Sequence, residues 1–401
     1  MSRPKRVFIA MHYLEIGGAE SALIGLLDAW DYDRAEVDLF IYAHRGELMR
    51  HIPERVNLLP EIKSYSAIEI PAIQALRHGC FGVVAGRWLA KRTFARYART
   101  APKVHTDAMQ AHIGRCVTPF LPAIGNGVYD LAISWLTPHH QVLKKVKARR
   151  KVAWIHTDYS YIPTDRSVEL PMWAGFDRII SISPAVTESF CSQYPELRNR
   201  ISEIENIMPV QAIRRRALES VDTGMSPDHF DILSVGRYAE PKNFESIPGI
   251  MRRMIELTGR DDLRWHIIGY GDGEALVRSK IAEMGMENHV ILHGKQANPY
   301  PFMAACDLYV QPSRYEGKSV CVREAQALNR PVVISNYSTA RSQLIDGIDG
   351  LIFPLDSEEL AKGIARVIND QSLRHNLAAE CAKRDYSNRF EVEKVYSLIP
   401  D

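Results

Sequence analysis

Short apolar runs alternate with helix-like segments along the whole chain. The runs are rich in β-branched and aliphatic residues, and most are followed by glycine, asparagine, proline or a polar turn. This pattern is expected of βαβ units that build parallel sheets. The first unit places a strand at 7–10, a helix at about 19–27 and a strand at 37–41. Further strands are predicted at 131–134, 151–155, 178–181, 230–235, 265–268, 290–292, 308–310, 332–334 and 351–353.

The periodic pattern fades between residues 207 and 226, which we interpret as a linker between two domains. The sequence therefore predicts an α/β protein with one Rossmann-like domain over 1–208 and another over 209–385. The last helix, at about 386–401, is expected to pack back on the first domain. Ligands of open parallel sheets bind beyond the carboxyl ends of the strands, so functional residues are expected in the loops that follow strands.

Composition and charge exclude several classes of protein. With 401 residues, 46% hydrophobic and 24% charged, the chain is globular in composition and larger than one core. Lys and Arg number 50 against 48 Asp and Glu, and this net charge of +2 does not indicate a nucleic-acid partner. The six cysteines form no Cys-x-x-Cys pair, which argues against disulfides and zinc and favours a cytoplasmic protein. We see no signal peptide and no membrane-spanning run.

The loop after the predicted strand 230–235 carries two cations, Arg237 and Lys242. Together they suit a diphosphate, because Arg offers a fork of N–H donors and Lys a point charge. They could also stabilise negative charge that develops on a leaving group. Taken alone, the segment is equally consistent with a solvated turn.

The loop after the strand 308–310 is the most informative part of the chain. Glu316 lies just past the strand, and Gly317 permits close approach of a backbone. Ser319 can cap a following helix whose first amides are free to bind phosphate or sugar hydroxyls. Glu324 lies in that helix, where a carboxylate could fix the hydroxyls of a ribose.

Glu316 and Glu324, separated by seven residues, resemble the hallmark of the retaining GT-B glycosyltransferases of family four. Further segments are similar to that family in the same order, over roughly residues 7–353. These are the glycine loop at 16–20, the diphosphate-binding segment with Gly236, Arg237, Lys242 and Asn243, and the segment His293-Gly294 near the base. The resemblance implies a GT-B fold, in which two Rossmann-like domains with parallel sheets face each other across a cleft.

The resemblance also assigns roles to individual residues. Arg237 and Lys242 would bind the diphosphate, Glu316 the transferred sugar and Glu324 the ribose. Gly17 and Gly18 would let the backbone approach the donor phosphates, although a tight strand-to-helix turn is the other interpretation. The predicted donor site also includes His293, Gly294, Gly317, Lys318, Ser319 and Val320, with the amides of Ser319 and Val320 meeting phosphate at the helix start. Lys318 stands where the family more often has Phe, which leaves the identity of the sugar open.

A third loop follows the strand 151–155 and carries His156 and Asp158. In the family a histidine at this place lies against the donor sugar, so we include His156 with Arg237, Lys242 and Glu316 among the catalytic candidates. A structural histidine is the alternative. Asp158 could orient an acceptor hydroxyl or merely cap the next turn.

No metal or resident cofactor is expected; the co-substrate is a nucleotide diphosphate sugar, most readily a UDP- or GDP-sugar. Asp31-Tyr32-Asp33 matches the Asp-x-Asp of metal-dependent enzymes, but it falls between a helix and a strand and is interpreted as a solvated turn. Arg237, Lys242 and helix dipoles would replace the cation. Retention in this family is explained by same-face attack assisted by the leaving phosphate, which needs no separate base.

The acceptor is expected to be a glycan or a lipid-linked saccharide of bacterial surface polysaccharide or glycolipid synthesis. Between residues 81 and 103 an apolar helical face opposes a basic one, and a second basic run covers 144–151. These segments could bind an anionic membrane, placing the protein peripherally on the inner membrane face. A core-packed helix with a solvated face explains the same pattern. The apolar face consists of Val83, Ala90, Phe94 and Tyr97, and the basic one of Arg87, Arg92, Arg96 and Arg99.

Two alternatives to sugar transfer remain at this point. Another GT-B enzyme, an epimerase or hydrolase of nucleotide sugars, would use the same phosphate site but needs additional acids. A non-catalytic subunit that binds a nucleotide sugar is the second. The joint presence of Arg237, Lys242, Glu316 and Glu324 favours an enzyme.

Overall fold

A computed structural model of the chain describes residues 4–15, 17–99, 101, 106–162 and 164–401. It divides into two compact units. Unit 1 comprises residues up to 207 together with 388–401, and unit 2 comprises residues 208–387. Each unit is built on its own parallel sheet, which confirms the prediction of an α/β protein with two Rossmann-like domains.

The sheet of unit 1 has seven strands in the order β3-β2-β1-β4-β5-β6-β7 among the described residues. Residues alternate strictly across it: Val7 and Ile9 of β1 face one core cluster, and Phe8 and Ala10 face the other. Apolar residues on both faces are typical of a parallel sheet covered by helices on both sides. The strands are β1 Lys5–Met11, β2 Ala35–Ile41, β3 Asn57–Leu58, β4 Tyr129–Ser134, β5 Ala148–Ile155, β6 Arg178–Ser181 and β7 Ile201–Glu203.

The helices of unit 1 connect and cover these strands. They are α1 Gly18–Ala29, α2 Lys63–Ser66, α3 Ala72–Arg77, α4 Phe81–Ala98, α5 Thr106–Val117, α6 His140–Lys145, α7 Arg166–Trp173 and α8 Pro184–Gln193. Among the described residues, no helix combines the length and the apolar character that crossing a membrane would require.

Helix α4 corrects one expectation about the segment 81–103. Its predicted apolar face packs inward, because Val83 and Ala90 are buried and Phe94 and Tyr97 contact the ring of His112 in α5. This apolar face is therefore packed in the core, as the alternative interpretation has it, and a membrane contact of the segment 81–103 stays a prediction. The side chain of Arg87 is likewise turned inward and donates to the carbonyl of Ile70. Residues 100, 102 and 103 of the segment lie outside the described residues.

Unit 2 has a sheet of six strands in the order β10-β9-β8-β11-β12-β13. Strand β8 lies in the middle, with β9 on one side and β11 on the other, and all neighbouring strands of this sheet run parallel. Core clusters again cover both faces. The strands are β8 Phe230–Val235, β9 Leu263–Ile268, β10 Val290–Gly294, β11 Leu308–Gln311, β12 Val332–Ser335 and β13 Leu351–Phe353.

The helices of unit 2 begin inside the stretch that the sequence indicates as a linker. Helix α9 falls within 207–226, because Val210, Ile213 and Arg216 recur on one buried face. The guanidinium of Arg216 donates to the carbonyl of Ala297 and lies over the ring of Tyr300. The helices are α9 Val210–Arg216, α10 Ile247–Thr258, α11 Glu274–Met284, α12 Tyr300–Ala305, α13 Val320–Ala327, α14 Ala340–Gln343, α15 Ser357–Asn369 and α16 Gln371–Ala382.

The end of the chain belongs to unit 1. Helix α17, Val392–Tyr396, packs its Tyr396 ring 4.9 Å from the ring of Trp30. The carbonyl of Leu398 accepts a hydrogen bond from Arg150, and that of Pro400 accepts one from Lys5. Residues 388–401 thus complete the core of a unit whose remaining residues all precede position 208.

Candidate active site

The loops after β8 and β11 lie side by side in unit 2, because these strands are neighbours in the sheet. The chain passes from β8 to β9 on one side, whereas β11 lies on the other side of β8, so their carboxyl ends form a topological switch point. Ligands of doubly wound sheets bind at such points. The predicted residues Arg237 and Lys242 follow β8, and Glu316 follows β11.

Lys242 and Glu316 form an ion pair at this switch point. The Nζ atom of Lys242 lies 2.6 Å from Oε1 of Glu316, and the hydroxyl of Ser313 donates to the same oxygen at 2.8 Å. The side chains are only 21% and 11% exposed, so the charges are largely removed from water. The sequence predicted both residues as catalytic candidates, and the structure brings them into contact.

Backbone contacts fix the two loops against each other. Asn243 has a left-handed backbone with φ of 58°, and its side-chain amide donates to the carbonyl of Pro312 at 3.1 Å. The amide of Arg314 donates to the carbonyl of Pro241 at 2.8 Å. A Cβ atom at Gly269 would clash with the carbonyl oxygen of Gly236, so the loop after β9 can approach this closely only with glycine there.

Arg237 is exposed, and its side chain has no hydrogen-bond or ion-pair partner among the described residues. Because no counter-charge has to be displaced, this cation can bind an anion at little desolvation cost. The guanidinium of Arg314 differs, because it is paired with Glu245 at 2.7 Å. Arg237 is therefore a cation of this loop that is available to a ligand.

Glu324 lies in α13 and is buried. Its carboxylate accepts a hydrogen bond from the hydroxyl of Tyr300 at 2.8 Å, and burial raises its pKa. The thiol of Cys321 is a second hydrogen-bond partner. The predicted contact with a ribose would thus be made by an acid that is already held in place by two protein groups.

The start of α13 corrects one detail of the predicted phosphate site. Ser319 occupies the N-cap position, but its side chain makes no capping hydrogen bond. Its amide donates to Oε1 of Gln343 at 2.7 Å, and the Gln343 amide donates back to the Ser319 carbonyl at 3.1 Å. A phosphate could bind the Ser319 amide only by displacing Gln343. Val320 begins the helix, so its amide has no partner within α13 itself. The preceding Gly317 and Lys318 are half-buried.

Lys318 also lines a cavity of about 230 Å³ between α13, α14 and the end of α16. Three arginines contribute to its wall, of which Arg384 is 3.4 Å from the buried carboxylate of Asp349. Lys318 is therefore in a cationic environment, unlike the apolar residue usual at this place in the family that the motif resembles. The arginines are Arg323, Arg341 and Arg384.

His293, which precedes Gly294 at the end of β10, is half-buried and belongs to a polar network. Nε2 of His293 lies 2.8 Å from Nδ1 of His266, whose Nε2 lies 2.9 Å from Oδ1 of Asp231. Since the carboxylate accepts from His266, the pair is consistent with His293 donating through Nε2. Burial lowers the pKa of His293 to about 4, so its ring is neutral near pH 7. Nothing in the motif indicated His266 or Asp231.

The remaining predicted residues lie in unit 1. Gly17 and Gly18 precede and begin α1, while Ile16 of the same loop lies outside the described residues. A Cβ atom at Gly17 would meet the carboxylate of Glu20, whose flexible end would then have to move. Asp158 accepts a hydrogen bond from the Ser160 amide at 2.8 Å and so caps a turn, which was its simpler interpretation.

His156 packs against Trp135, with 4.9 Å between ring centres. The indole of Trp135 in turn donates to the carbonyl of Ala19 at 2.8 Å, which links His156 to the glycine loop. Burial lowers the pKa of His156 to about 3, and its Nε2 atom has no hydrogen-bond partner among the described residues. A buried nitrogen without a partner is rare in folded proteins and calls for an explanation such as a functional role.

Two histidines that no motif indicated lie at the same edge of the unit 1 sheet. His12 follows β1, and His139 follows β4; these neighbouring strands form the switch point of that sheet. Burial lowers the pKa of His12 to about 4 and that of His139 well below its usual value. Only their position after predicted strands could have indicated these two histidines from the sequence, since a single histidine in a loop belongs to no motif with a distinctive spacing.

Asp31 and Asp33 lie in the exposed turn between α1 and β2. Oδ1 of Asp31 accepts from the amide of Asp33 at 3.0 Å, and the Asp33 carboxylate pairs with Arg55. The turn precedes β2 and so lies at the amino ends of the strands, opposite to the switch point of that sheet. Its predicted role as a solvated turn agrees with this position.

Comparison with known proteins finds a family model that matches part of the chain. Residues 216–384 match the family model described as Glycosyl transferases group 1. Over 200 residues the chain is 28% identical to the N-acetylgalactosamine-N,N'-diacetylbacillosaminyl-diphospho-undecaprenol 4-alpha-N-acetylgalactosaminyltransferase of Campylobacter jejuni, covering 49% of this chain and 52% of that protein. Over 252 residues it is 25% identical to the lipopolysaccharide core biosynthesis glycosyltransferase LpsE of Rhizobium meliloti, covering 62% and 68%. The chain spans about half the length of several of the curated relatives it matches.

Among solved structures, the chain is similar to HepE of Anabaena in complex with UDP and glucose. The TM-score is 0.65 at 17% identity, and the match covers 98% of this chain and 99% of that one. At this identity the likeness concerns the fold, which in both proteins extends over nearly the whole chain.

Proposed function

Because residues 216–384 match the family model described as Glycosyl transferases group 1, we propose that the chain transfers a sugar from a nucleoside diphosphate sugar to a glycan or lipid-linked saccharide. The observation that carries this proposal is the Lys242–Glu316 pair at the switch point of unit 2. The names of the two relatives, one for a diphospho-undecaprenol-linked substrate and one for lipopolysaccharide core synthesis, support an acceptor of bacterial surface polysaccharide or glycolipid synthesis.

In the proposed reaction the bond between the anomeric carbon and the donor phosphate oxygen breaks. A bond from the acceptor oxygen to that carbon forms on the same face, and the acceptor proton passes to an oxygen of the leaving diphosphate. Retention of configuration follows, and no separate base is needed. Arg237 and Lys242 stabilise the negative charge that develops on the diphosphate, where fixed charges act most strongly.

The Lys242–Glu316 pair suits this role because each partner holds the other in a largely dry loop. A diphosphate would give Lys242 a second anionic partner, and Glu316 could then accept hydrogen bonds from the transferred sugar. Ser313 keeps the Glu316 carboxylate in place through its 2.8 Å hydrogen bond. Such preorganised charges lower the barrier without having to be oriented during the reaction.

The proposal is tested by incubating the full chain with a panel of UDP- and GDP-sugars. Synthetic polyprenyl diphosphate-linked monosaccharides serve as acceptors, and release of the nucleoside diphosphate is measured. We expect turnover with one donor class and a product whose anomeric configuration, determined by NMR, equals that of the donor. Conversion of one nucleotide sugar into its epimer would instead indicate an epimerase, and binding without turnover would indicate a non-catalytic subunit. Either result would overturn the proposal.

We further propose that the reaction needs no metal ion, since Arg237 and Lys242 supply positive charge where a cation would otherwise act. Dialysis against EDTA should then leave the rate of transfer unchanged within about twofold. A loss that added Mg²⁺ or Mn²⁺ restores would show that the two side chains are insufficient.

A lipid-linked acceptor also requires access to a membrane, and we propose the outer face of α4 for this contact. Phe81 is 68% exposed and Trp88 58% exposed, and the exposed Leu89 lies beside Trp88. The guanidinium of Arg92 lies 4.6 Å from the Trp88 ring centre. Exposed aromatic residues next to cations favour an anionic lipid surface.

One residue of the basic run 144–151, Lys145, lies near this face. Phe120 is exposed and packs beside Gly82 of α4, where a Cβ atom would meet it at 2.9 Å. The ammonium of Lys145 donates to the carbonyl of the adjoining Pro119 at 3.4 Å. Gly82 of the first predicted segment and Lys145 of the second thus both lie near the turn that carries Phe120, and we propose that the protein acts at the inner face of the membrane.

Flotation with vesicles tests this contact. We expect the chain to float with vesicles of phosphatidylcholine and phosphatidylglycerol, and less with phosphatidylcholine alone, because the basic residues require anionic lipid. The double substitution Phe81→Ser and Trp88→Ser should abolish flotation. Leu276→Ser, at an exposed position of unit 2, is the matched control. No flotation of the natural chain at low salt would remove the membrane from the proposal.

A further inference from the structure

The switch point of unit 1 carries a group of three histidine side chains. His12 follows β1, His139 follows β4 and His156 follows β5, and these three strands are consecutive in the sheet. Neighbouring strands are about 4.8 Å apart, so the first and third strands are separated by about 10 Å. His139 is close enough to His12 and to His156 to interact electrostatically with both.

Two of these histidines have ring nitrogens without a partner. Nε2 of His12 and Nε2 of His156 are buried and have no hydrogen-bond partner among the residues that the structure describes. Leaving such a buried polar atom unpaired costs about 1–3 kcal/mol. The nitrogens of an exposed histidine avoid this cost by hydrogen-bonding to water. We therefore look for a ligand that binds these two buried nitrogens.

The neighbours of both rings indicate which proton each carries. Nδ1 of His12 is 3.6 Å from the carboxylate of Glu69, and the ring of His12 stacks on Tyr42 at 4.9 Å. His156 hydrogen-bonds to the backbone of Trp135. In both, the acceptor beside Nδ1 favours a proton on that nitrogen, which leaves Nε2 as a bare acceptor.

His139 is positioned from within the sheet. Its Nδ1 atom lies 2.8 Å from the hydroxyl of Ser134, the last residue of β4, and its ring packs 4.6 Å from that of Trp173. Trp135, which follows Ser134, contacts His156. At the end of β4, Ser134 thus hydrogen-bonds to the imidazole of His139, and Trp135 packs against that of His156.

The rings are neutral near pH 7, because burial lowers the pKa of His12 to about 4 and that of His156 to about 3. Neutral acceptors do not favour phosphate, which offers mainly acceptor oxygens itself. They suit hydroxyl groups, which donate. The chemistry at this edge is therefore complementary to a sugar and not to an anion.

We propose that His12 and His156 accept hydrogen bonds from hydroxyl groups of a sugar bound at the carboxyl edge of β1, β4 and β5. This inference rests on the proposed sugar transfer. The sugar is either the one transferred or the one that receives it, and both present the same hydroxyl chemistry. His12 is the new residue in this assignment, since the resemblance to a family concerned His156 alone.

The substitution His12→Phe tests the proposal, because phenylalanine keeps the ring on Tyr42 and removes both nitrogens. We expect kcat/KM to fall at least about tenfold, with an unchanged Kd for the nucleoside diphosphate by calorimetry. The melting temperature should stay equal or rise, since an unpaired buried nitrogen is removed. His12→Gln, which keeps a polar atom near the position of Nε2, should recover part of the activity.

His289→Phe is the matched control. The imidazole of His289 is partnered by the carbonyl of Leu263 at 3.0 Å and precedes β10, at the edge of the unit 2 sheet opposite to its switch point. Its loss should lower the melting temperature and leave the activity unchanged. If a buried water satisfies Nε2 of His12, His12→Phe would show this same pattern, and the inference would be overturned.

Two assays separate the sources of the sugar. Hydrolysis of the donor in the absence of acceptor involves the transferred sugar only, whereas full transfer involves both. If His12→Phe impairs both reactions, His12 binds the transferred sugar; if only transfer is impaired, it binds the acceptor. Activities within about twofold of the natural chain in both assays would overturn the inference. A natural chain that turns over no nucleotide sugar would overturn the proposed function itself, which is a different result.

Discussion

The two switch points of this chain have opposite chemistry. In unit 2 the strand ends carry charge, with Lys242 and Glu316 in contact at 2.6 Å and Arg237 exposed in the same loop as Lys242. In unit 1 the strand ends carry neutral imidazoles, among them His12 and His156, whose Nε2 atoms lack partners among the described residues. The same arrangement of strands thus presents fixed charges on one sheet and uncharged acceptors on the other. The fold provides the place, and the residues after the strands determine what can bind there.

The largest expected effect is on the charged switch point. Glu316→Gln removes the negative charge that pairs with Lys242 and keeps the shape of the side chain, including an oxygen that can accept from Ser313. Turnover should fall by about 10²–10³, the range seen when a preorganised electrostatic contact is lost. Product release is the measurement. Glu358→Gln, at a partly exposed acid paired with Arg253 of α10, should retain full activity. Equal activity of the two variants would contradict the role of Glu316.

The next effect concerns binding of the diphosphate. Arg237→Ala and Lys242→Ala should each weaken the affinity for UDP or GDP by about 10- to 100-fold, because a charge-assisted hydrogen bond contributes about 1.5–3 kcal/mol. Calorimetry measures this directly. Arg278→Ala, at an exposed arginine paired with Glu274, should have no effect. Unchanged affinity in both Arg237 and Lys242 variants would mean that the diphosphate binds elsewhere.

A smaller effect concerns the dependence of stability on pH. In unit 1 the pKa of His12 and of His140 is lowered to about 4 and that of His156 to about 3, and in unit 2 the pKa of His293 is lowered to about 4. Because the unfolded chain binds these protons near pH 6.5, acidification below that pH favours unfolding until the folded pKa is reached. By about pH 5 the free energy of unfolding should have fallen by about 1–2 kcal/mol per histidine.

Urea denaturation followed by tryptophan fluorescence measures this fall, since five of the six tryptophans precede residue 208. Stability should be constant above about pH 7 and decline between about 6.5 and 4. His12→Phe should reduce the decline. A flat midpoint from about pH 7 to about pH 5 would show that these imidazoles are not buried in the neutral form.

The smallest effect tests how the phosphate loop is held. Ser319→Ala should change the free energy of unfolding by less than about 0.5 kcal/mol, because its side chain caps nothing. Asp356→Ala should cost about 1 kcal/mol, since Asp356 caps α15 through the amides of Glu358 and Glu359. Chemical denaturation of both variants provides the comparison. A larger loss for Ser319→Ala than for Asp356→Ala would reverse this assignment.

Much of the fold could be predicted from the sequence, since its short runs of β-branched and aliphatic residues are each followed by turn residues. The predicted strands 178–181, 230–235 and 351–353 match β6, β8 and β13 residue for residue. The edge strands β3 and β7 were not predicted, because Asn57–Leu58 and Ile201–Glu203 are short and partly exposed and lack a pattern. Helix α9 was not predicted because three arginines obscured its buried face.

The site was less predictable than the fold. Lys242 and Glu316 could be selected as candidates because each is a charged residue in a loop that follows a predicted strand. The two hydrogen bonds between the backbone of Ser319 and the side chain of Gln343 could not be predicted, since they join residues 24 positions apart. The absence of a partner on Nε2 of His12 is likewise a property of packing among the described residues. Individual contacts of this kind leave no periodic signal.

The return of residues 388–401 to unit 1 affects how the chain is made. A ribosome finishes the whole of unit 2 before it supplies the segment that covers Trp30 and accepts from Lys5 and Arg150. Unit 2 is contiguous in sequence and can fold during synthesis. Most of unit 1 is synthesised first, but its core is complete only when residues 388–401 have been added. A nascent chain arrested before residue 388 would therefore present a protease with an unfinished first unit beside a finished second one.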